Sequence, residues 1–306
     1  MIIVTGAAGF IGYNIAKRLN LMGREDLILI DNKKKYPNPK NFNNLRFKEY
    51  RHFLSLENLE NITCIFHQGA CSDTMEYDKK FMMGVNLEYS KKIFSIAKEN
   101  NAKFIYASSA SVYGLNKNSE EIEENESPLN VYAESKLLFD KYIMNQEYPA
   151  VGLRYFNVYG RGEENKGKMA SMAYKMNYEY LQHKKITLFK GTDGYQDGEQ
   201  MRDFIYIDDV VSINMFFMEK SFHDIYNVGT GKAETFNAVA ENIFKFYDDT
   251  NRNFNYIDMP SYLIPKYQNF TQANIKKLIA AGYNYEFFGI SEGIEAYLND
   301  LNTSSA

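Results

Sequence analysis

Short apolar, β-branched runs alternate along the first half of this chain with stretches whose apolar residues recur every three to four positions. Residues 1–5, 27–31, 62–67, 103–108 and 150–155 read as strands, and 11–22, 78–100 and 131–146 carry the period of helices with one buried face. Strand, helix, strand repetition predicts an α/β fold, a doubly wound parallel sheet covered by helices on both faces. Such sheets take ligands outside the carboxyl ends of their strands. Gly69-Ala70-Cys71-Ser72 follows the third run and Ser108-Ser109 closes the fourth. Beyond about residue 160 the alternation becomes irregular. Polar, glycine-rich segments 160–168 and 191–202 flank a helix near 169–183, a strand follows near 203–207, and Tyr226-Asn227-Val228 returns to the first lobe. The reading is a dinucleotide-binding domain over 1–166, to which about 203–230 returns, and a smaller interleaved substrate lobe over 167–306.

The first strand runs directly into Gly6-Ala7-Ala8-Gly9-Phe10-Ile11-Gly12. Glycines at this spacing, between a strand and a helix, allow a tight turn, a close approach of backbone to pyrophosphate and close helix packing. The helix start then offers free N–H groups and the positive end of its dipole to phosphate. Asp31 ends the second strand, about 20 residues beyond, where a carboxylate accepts the hydroxyls of an adenosine ribose. The sheet is therefore expected to be Rossmann-like.

Composition narrows the classes. The chain has 306 residues and a formal net charge of −4, which argues against nucleic acid as a partner. No apolar run approaches the ~18 residues that a membrane helix needs, and the first strand begins at Met1, so no membrane and a cytoplasmic location are expected. Cys64 and Cys71 form neither a disulfide framework nor a zinc spacing, and His52, His67, His183 and His223 are scattered; no metal is expected. Lys33-Lys34-Lys35 reads as a solvated loop or a phosphate contact.

Tyr132 and Lys136 stand four apart at the start of a helix, on one face and one turn apart. A free phenol titrates near 10, too high for a base at neutrality, and an adjacent cation lowers it by about 1–3 pH units. Tyr132 is thus expected to be lowered by Lys136 and to take a hydroxyl proton. Ser109, ending a strand about 20 residues earlier, supplies a hydroxyl for the reacting oxygen. Ser, Tyr and Lys after a glycine-rich nucleotide turn form a hydride-transfer constellation.

With Gly6-x-x-Gly9-x-x-Gly12, Asp31, Ser109, Tyr132-x-x-x-Lys136 and Arg202-Asp203-Phe204-Ile205-Tyr206-Ile207-Asp208-Asp209-Val210 in order, the whole chain resembles the extended short-chain dehydrogenases/reductases that act on nucleotide sugars. The segments Phe66 to Ser72, Leu129 to Tyr132, Arg154 to Gly160, Lys166 to Ser171 and Lys266 to Ala273 are similar to the branch that epimerises an ADP-heptose at C6, a step of lipopolysaccharide core synthesis. The resemblance implies oxidation to a 6-keto intermediate and return of hydride to the opposite face, with Tyr132 and Lys166 as two bases and Ser109 and Lys136 beside them. It implies a tightly bound NADP, one per subunit, held by the glycine turn with Phe10 and Ile11, then Asp31, Asn32, Lys40, Gln68, Gly69, Ala70, Cys71, Ser72, Asn86, Lys136, Val158 and Lys166. Substrate contacts would come from Ser109, Asn157, Lys168, Lys175, Phe189, Lys190, Gly191, Thr192, Arg202 and Tyr267, and the protein would be a homo-oligomer, a homopentamer. Arg202 suits a diphosphate, which a guanidinium holds in bidentate fashion.

Three departures stand out. Lys168 and Lys175 occupy places where the family carries serine and histidine, and a family lysine near the adenosine phosphate is replaced around Phe53. Asp31 by itself favours NAD, while Lys33, Lys34, Lys35 or Lys40 can offset a 2′-phosphate. An acid/base lysine needs a lowered pKa, which Lys166 would obtain from burial or from neighbouring cations, with Lys168 a candidate neighbour. A 4,6-dehydratase needs an acidic pair where Ala110 and Ser111 stand. A UDP- or GDP-hexose 4-epimerase remains the rival reading, and a catalytically silent binding protein requires a broken Ser-Tyr-Lys set, which is intact here.

Overall fold

A computed structural model describes residues 1–304. It divides into two compact units, one formed by 1–112, 128–155 and 210–226, the other by 113–127, 156–209 and 227–306.

The first unit is built on parallel strands β1 (Ile2–Thr5), β2 (Leu27–Asp31), β3 (Glu49–His52), β4 (Cys64–His67), β5 (Lys103–Ser109) and β6 (Val151–Tyr155). With the strand Asp224–Val228 they form a seven-stranded sheet in the order Asp224–Val228, β6, β5, β4, β1, β2, β3. The register sets Ile3 between Ile28 and Ile65. Ile2, Ile3 and Val4 are all buried, as expected of a strand covered on both faces. The doubly wound fold predicted from the alternation is what the chain adopts. The strand order reverses between β1 and β4, the switch point at which such sheets bind nucleotides. Strand β3 is not legible in the pattern: its residues Glu49-Tyr50-Arg51-His52 are polar and only partly buried, because it is the edge of the sheet.

Helix α1 (Phe10–Leu21) starts at Gly9 and buries Ile15, Ala16 and Leu19. The stretch expected as one helix over 78–100 is α2 (Lys79–Met83) and α3 (Tyr89–Glu99) joined by a π-helical segment, Gly84–Glu88. Wider turns of this kind re-aim a side chain and concentrate at functional sites; here the side chain is Asn86. Helix α4 (Val131–Met144) is capped by the Asn130 side chain, which accepts from Ala133 N at 2.8 Å. The core beneath it is aromatic, with Phe94, Phe104, Tyr106 and Phe139 in contact.

In the second unit β7 (Asn157–Tyr159) and β8 (Ile186–Phe189) flank α5 (Met172–His183), and β9 (Met201–Arg202) and β10 (Phe204–Tyr206) follow; the next helix, α6 (Ile207–Glu219), belongs from residue 210 to the first unit. Strand β7 pairs β10 in parallel, Asn157 with Phe204 and Val158 with Ile205. Helix α5 begins at Met172, later than the pattern suggests. A 3₁₀ segment, Glu164–Met169, precedes it, and the Ser171 hydroxyl accepts from Tyr174 N to cap it. Among the described residues no helix is long and apolar enough to cross a membrane, and no group of three or more His, Cys, Asp or Glu is placed to hold a metal ion.

Candidate active site

The glycine turn after β1 is a cradle that side chains would fill. A Cβ on Gly12 would lie 2.3 Å from the Gly6 carbonyl oxygen, and one on Gly6, whose φ is +64°, would lie 2.7 Å from Gly69 N. The first is the close helix packing and the second the tight, positive-φ turn that a dinucleotide site requires. Gly6 also brings this turn against Gln68 and Gly69 beyond β4, where Gly69 N donates to Thr5 Oγ1 at 3.0 Å. Phe10 and Ile11 form the first turn of α1.

Asp31 closes β2 beside the cradle. Its carboxylate accepts from Ala8 N at 2.8 Å and Asn32 N at 2.7 Å, while burial, the larger effect, raises its pKa. The Asn32 side chain accepts from Lys34 N and Lys35 N, so the three lysines leave β2 in a tight turn. Lys33 reaches the Tyr50 carbonyl at 3.2 Å, and Lys35 faces Asp31 electrostatically. Lys40 opens the 3₁₀ turn Lys40–Asn44, whose Asn41 donates to Ala8 O at 3.4 Å. Phe53 packs edge-on against His52 and Tyr89.

Beyond β4 the segment Gln68 to Ser72 is held from below. Cys71 N donates to Asn86 Oδ1 at 2.8 Å, and Asn86 Nδ2 donates to Cys71 O at 2.9 Å and to Ser135 Oγ at 3.0 Å. Asn86 is thus a brace for the Cys71 backbone, a role that its π-helical placement creates. The Gln68 side chain meets Tyr155 and Asn214. His67 is enclosed between Thr5 Oγ1 and Ser90 Oγ, both at 2.8 Å, and burial pushes it down to about 3.

Ser109, Tyr132 and Lys136 come together at the end of β5 and the start of α4. The Ser109 hydroxyl faces Tyr132 and acts to lower its phenol. Lys136 Nζ donates to Ala107 O at 2.8 Å and lies 6.0 Å from the Tyr132 ring centroid. Burial lowers Lys136 to about 8. The expectation that Lys136 would lower Tyr132 is corrected here: burial raises the phenol, against which the Ser109 hydroxyl is the lowering influence. Ser111, not singled out from the sequence, donates from N and Oγ to Ser109 Oγ at 3.2 and 2.9 Å and orients it. The Ser-x-Ser spacing after a strand was the available signal.

In the second unit Lys166 follows Glu163 in the 3₁₀ segment. Glu163 is fully buried and accepts from Gly160 N, Ser171 N and Ser171 Oγ. Lys166 is half-buried, and its pKa is lowered first by burial and further by Lys175, with Glu163 opposing. The neighbouring cation is therefore Lys175, not Lys168 as expected. The Lys168 carbonyl instead accepts from Lys175 Nζ at 2.7 Å, because helix α5 turns Lys175 back over the loop.

Phe189, Arg202 and Tyr267 form a separate cluster. The Arg202 guanidinium lies 5.4 Å from the Phe236 ring and 5.1 Å from the Tyr267 ring, and Tyr267 meets Phe189 edge-on at 6.0 Å. Asp203 turns away from Arg202 and accepts instead from Thr230 N and Oγ1, Gly231 N and Ala273 N. Gly191 N donates to Asp197, Thr192 Oγ1 to Asn269 Oδ1, and Lys190 pairs with exposed Asp258 at 3.0 Å. Asn157 N donates to Asp203 O at 3.1 Å, which ties the start of β7 to the residue after Arg202.

A doubly wound sheet with a glycine cradle at its switch point and a Ser-Tyr-Lys set beside it defines a nicotinamide-dependent enzyme of the short-chain type. The chain belongs to the NAD dependent epimerase/dehydratase family, whose model matches residues 2–229. It is 44% identical over 99% of its length to an ADP-L-glycero-D-manno-heptose-6-epimerase of Brachyspira hyodysenteriae, of which 98% is covered. Its structure is similar to the ADP-L-glycero-D-manno-heptose-6-epimerase of Helicobacter pylori, with a TM-score of 0.87 and 32% identity over 98% of this chain and 96% of that one. A UDP-N-acetylglucosamine 4-epimerase from Methanobrevibacter ruminantium shares the fold, with a TM-score of 0.82 at 24% identity over 99% and 98% of the two chains.

Proposed function

We propose that this protein is an isomerase that inverts C6 of ADP-D-glycero-D-manno-heptose to give the L-glycero epimer. The full-length 44% match to a relative of that name carries the reading. The glycine cradle, Asp31, the braced Gln68 to Ser72 segment and Lys136 are the residues that would hold the cofactor. A bound nicotinamide would supply the hydride acceptor for oxidation at C6 and the donor for reduction. Tyr132 takes the hydroxyl proton, Ser109 hydrogen-bonds the same oxygen, and the Lys136 ammonium stands beside them, held by the Ala107 carbonyl. Inversion needs the carbonyl to be served in two orientations, and Lys166 is the second acid/base group. Its lowered pKa, from burial and Lys175, suits a lysine that must exist partly neutral. Arg202 and its aromatic neighbours are the diphosphate site.

NADP is the cofactor proposed. Lys35 faces Asp31 and so reduces the repulsion that a 2′-phosphate meets there. A cytoplasmic homo-oligomer, a homopentamer, completes the reading.

The test is a substrate panel with the purified protein. ADP-D-glycero-D-manno-heptose should reach equilibrium with its C6 epimer without net cofactor consumption. Tyr132→Phe and Lys166→Met should each lower kcat, by about 10²–10⁴-fold for loss of a general acid/base. Epimerisation of a UDP-hexose with the heptose left unchanged would overturn the assignment. Mass spectrometry of released cofactor distinguishes NADP from NAD.

A further inference from the structure

Three successive residues at the end of β5 hold three residues on one face of α4. Ala107 O accepts from Lys136 Nζ at 2.8 Å, Ser108 Oγ donates to Asp140 Oδ2 at 2.8 Å, and Ser109 faces Tyr132. Tyr132, Lys136 and Asp140 are spaced four apart, so the carboxylate stands one turn beyond the ammonium and two beyond the phenol. Asp140 and Arg154 are each only 1% exposed and pair at 3.0 Å, and the Tyr106 hydroxyl donates to the other carboxylate oxygen at 3.0 Å.

We propose that Asp140 is a positioning residue for the Ser-Tyr-Lys set, its buried carboxylate keeping Lys136 charged beside Tyr132. The need is physical: burial disfavours an ammonium, and the Ala107 carbonyl offers only a dipole. Facing Lys136 are Tyr132 and Asp140 from its own helix, Cys71 beyond β4 and the His67 imidazole of β4. Asp140 is the largest influence favouring the ammonium. Arg154, from β6, fixes the carboxylate by pairing with it at 3.0 Å.

A merely structural ion pair would leave the titration of Lys136 alone. The experiment follows lysine Cε by NMR across pH in uniformly labelled protein, with the Lys136 signal assigned by its loss in Lys136→Arg. In Asp140→Asn the Lys136 midpoint should fall by roughly one pH unit, and in Asp140→Glu it should return toward the parent value. Asp140→Asn takes the carboxylate away from a buried guanidinium. If that variant does not fold, the pair Asp140→Asn with Arg154→Gln, which removes both charges, should show a fall in the same direction, made smaller by the simultaneous loss of the guanidinium charge. Ser108→Ala, which loses a hydrogen bond but keeps the carboxylate, should leave the midpoint unmoved. An unchanged midpoint in the charge-removing variant, or an equal fall in Ser108→Ala, overturns the proposal. The reading of Tyr132 and Lys136 as catalytic underlies the role, but the NMR midpoint needs no substrate. A shifted midpoint with no turnover of the heptose would therefore sink the proposed function and leave this inference standing.

Discussion

The ammonium of Lys136 lies 6.0 Å from the centroid of the Tyr132 ring while it donates to the Ala107 carbonyl at 2.8 Å. The two groups stand one turn apart on α4, and burial raises the phenol with only Ser109 opposing it.

Lys136 is lowered to about 8, so its charge, present at lower pH, disappears as pH rises through that value. The kcat/KM for the heptose should accordingly fall on the alkaline side with a midpoint near 8. Lys136→Met should lower kcat across the whole range, and a pH–rate profile of both proteins checks this.

The brace between Asn86 and Cys71 should matter to cofactor retention. Asn86→Ala leaves Cys71 N and O without their side-chain partner, at a cost of about 1–3 kcal/mol. The expected outcome is a lower urea midpoint together with faster loss of nicotinamide dinucleotide on dialysis, measured by absorbance of the released cofactor.

Gly12→Ala places a methyl 2.3 Å from the Gly6 carbonyl oxygen, backbone against which nothing flexible can yield. The turn must shift, and cofactor binding by calorimetry should weaken by tenfold or more. Gly23→Ala differs in kind: its added Cβ would have open space, so any cost would come from its φ of +79°. Cofactor affinity should be unchanged in that variant.

His67 gives a stability signature. Its folded pKa, about 3, lies below its ordinary 6.5, so the unfolded chain binds the extra proton between these values. Its contribution is full above pH 6.5 and is lost as pH falls toward 3. Tm should drop from pH 7 to pH 4.5, and in His67→Gln the slope of stability against pH should shrink by nearly one proton. An unchanged slope would contradict the assignment.

Local spacing carried much of the site. The Gly6, Gly9 and Gly12 pattern and the Tyr132–Lys136 pair are legible because a turn and a helix fix the geometry of residues three or four apart. Asn86 was reached only through the family resemblance, as a cofactor contact, and not as a brace. Its bonds to Cys71 and Ser135 join positions 15 and 49 residues away, and the π-helical segment that aims it has no simple periodic signal. Lys168 was the expected neighbour of Lys166 because it is close in sequence, whereas the helix cap at Ser171 swings Lys175 back over the loop. Edge strand β3 was hidden by its own polarity.

Sequence by itself determined the alternation that winds the sheet, the glycine cradle and the Tyr132–Lys136 pairing on one helix face, since these follow from periodicity and from contacts within one turn. Tertiary structure decided the electrostatics: Tyr132 raised rather than lowered, Lys136 drawn down to about 8, and Asp140 paired with Arg154 behind them. Burial and long-range partners set a pKa, and neither is a property of neighbouring positions in the chain.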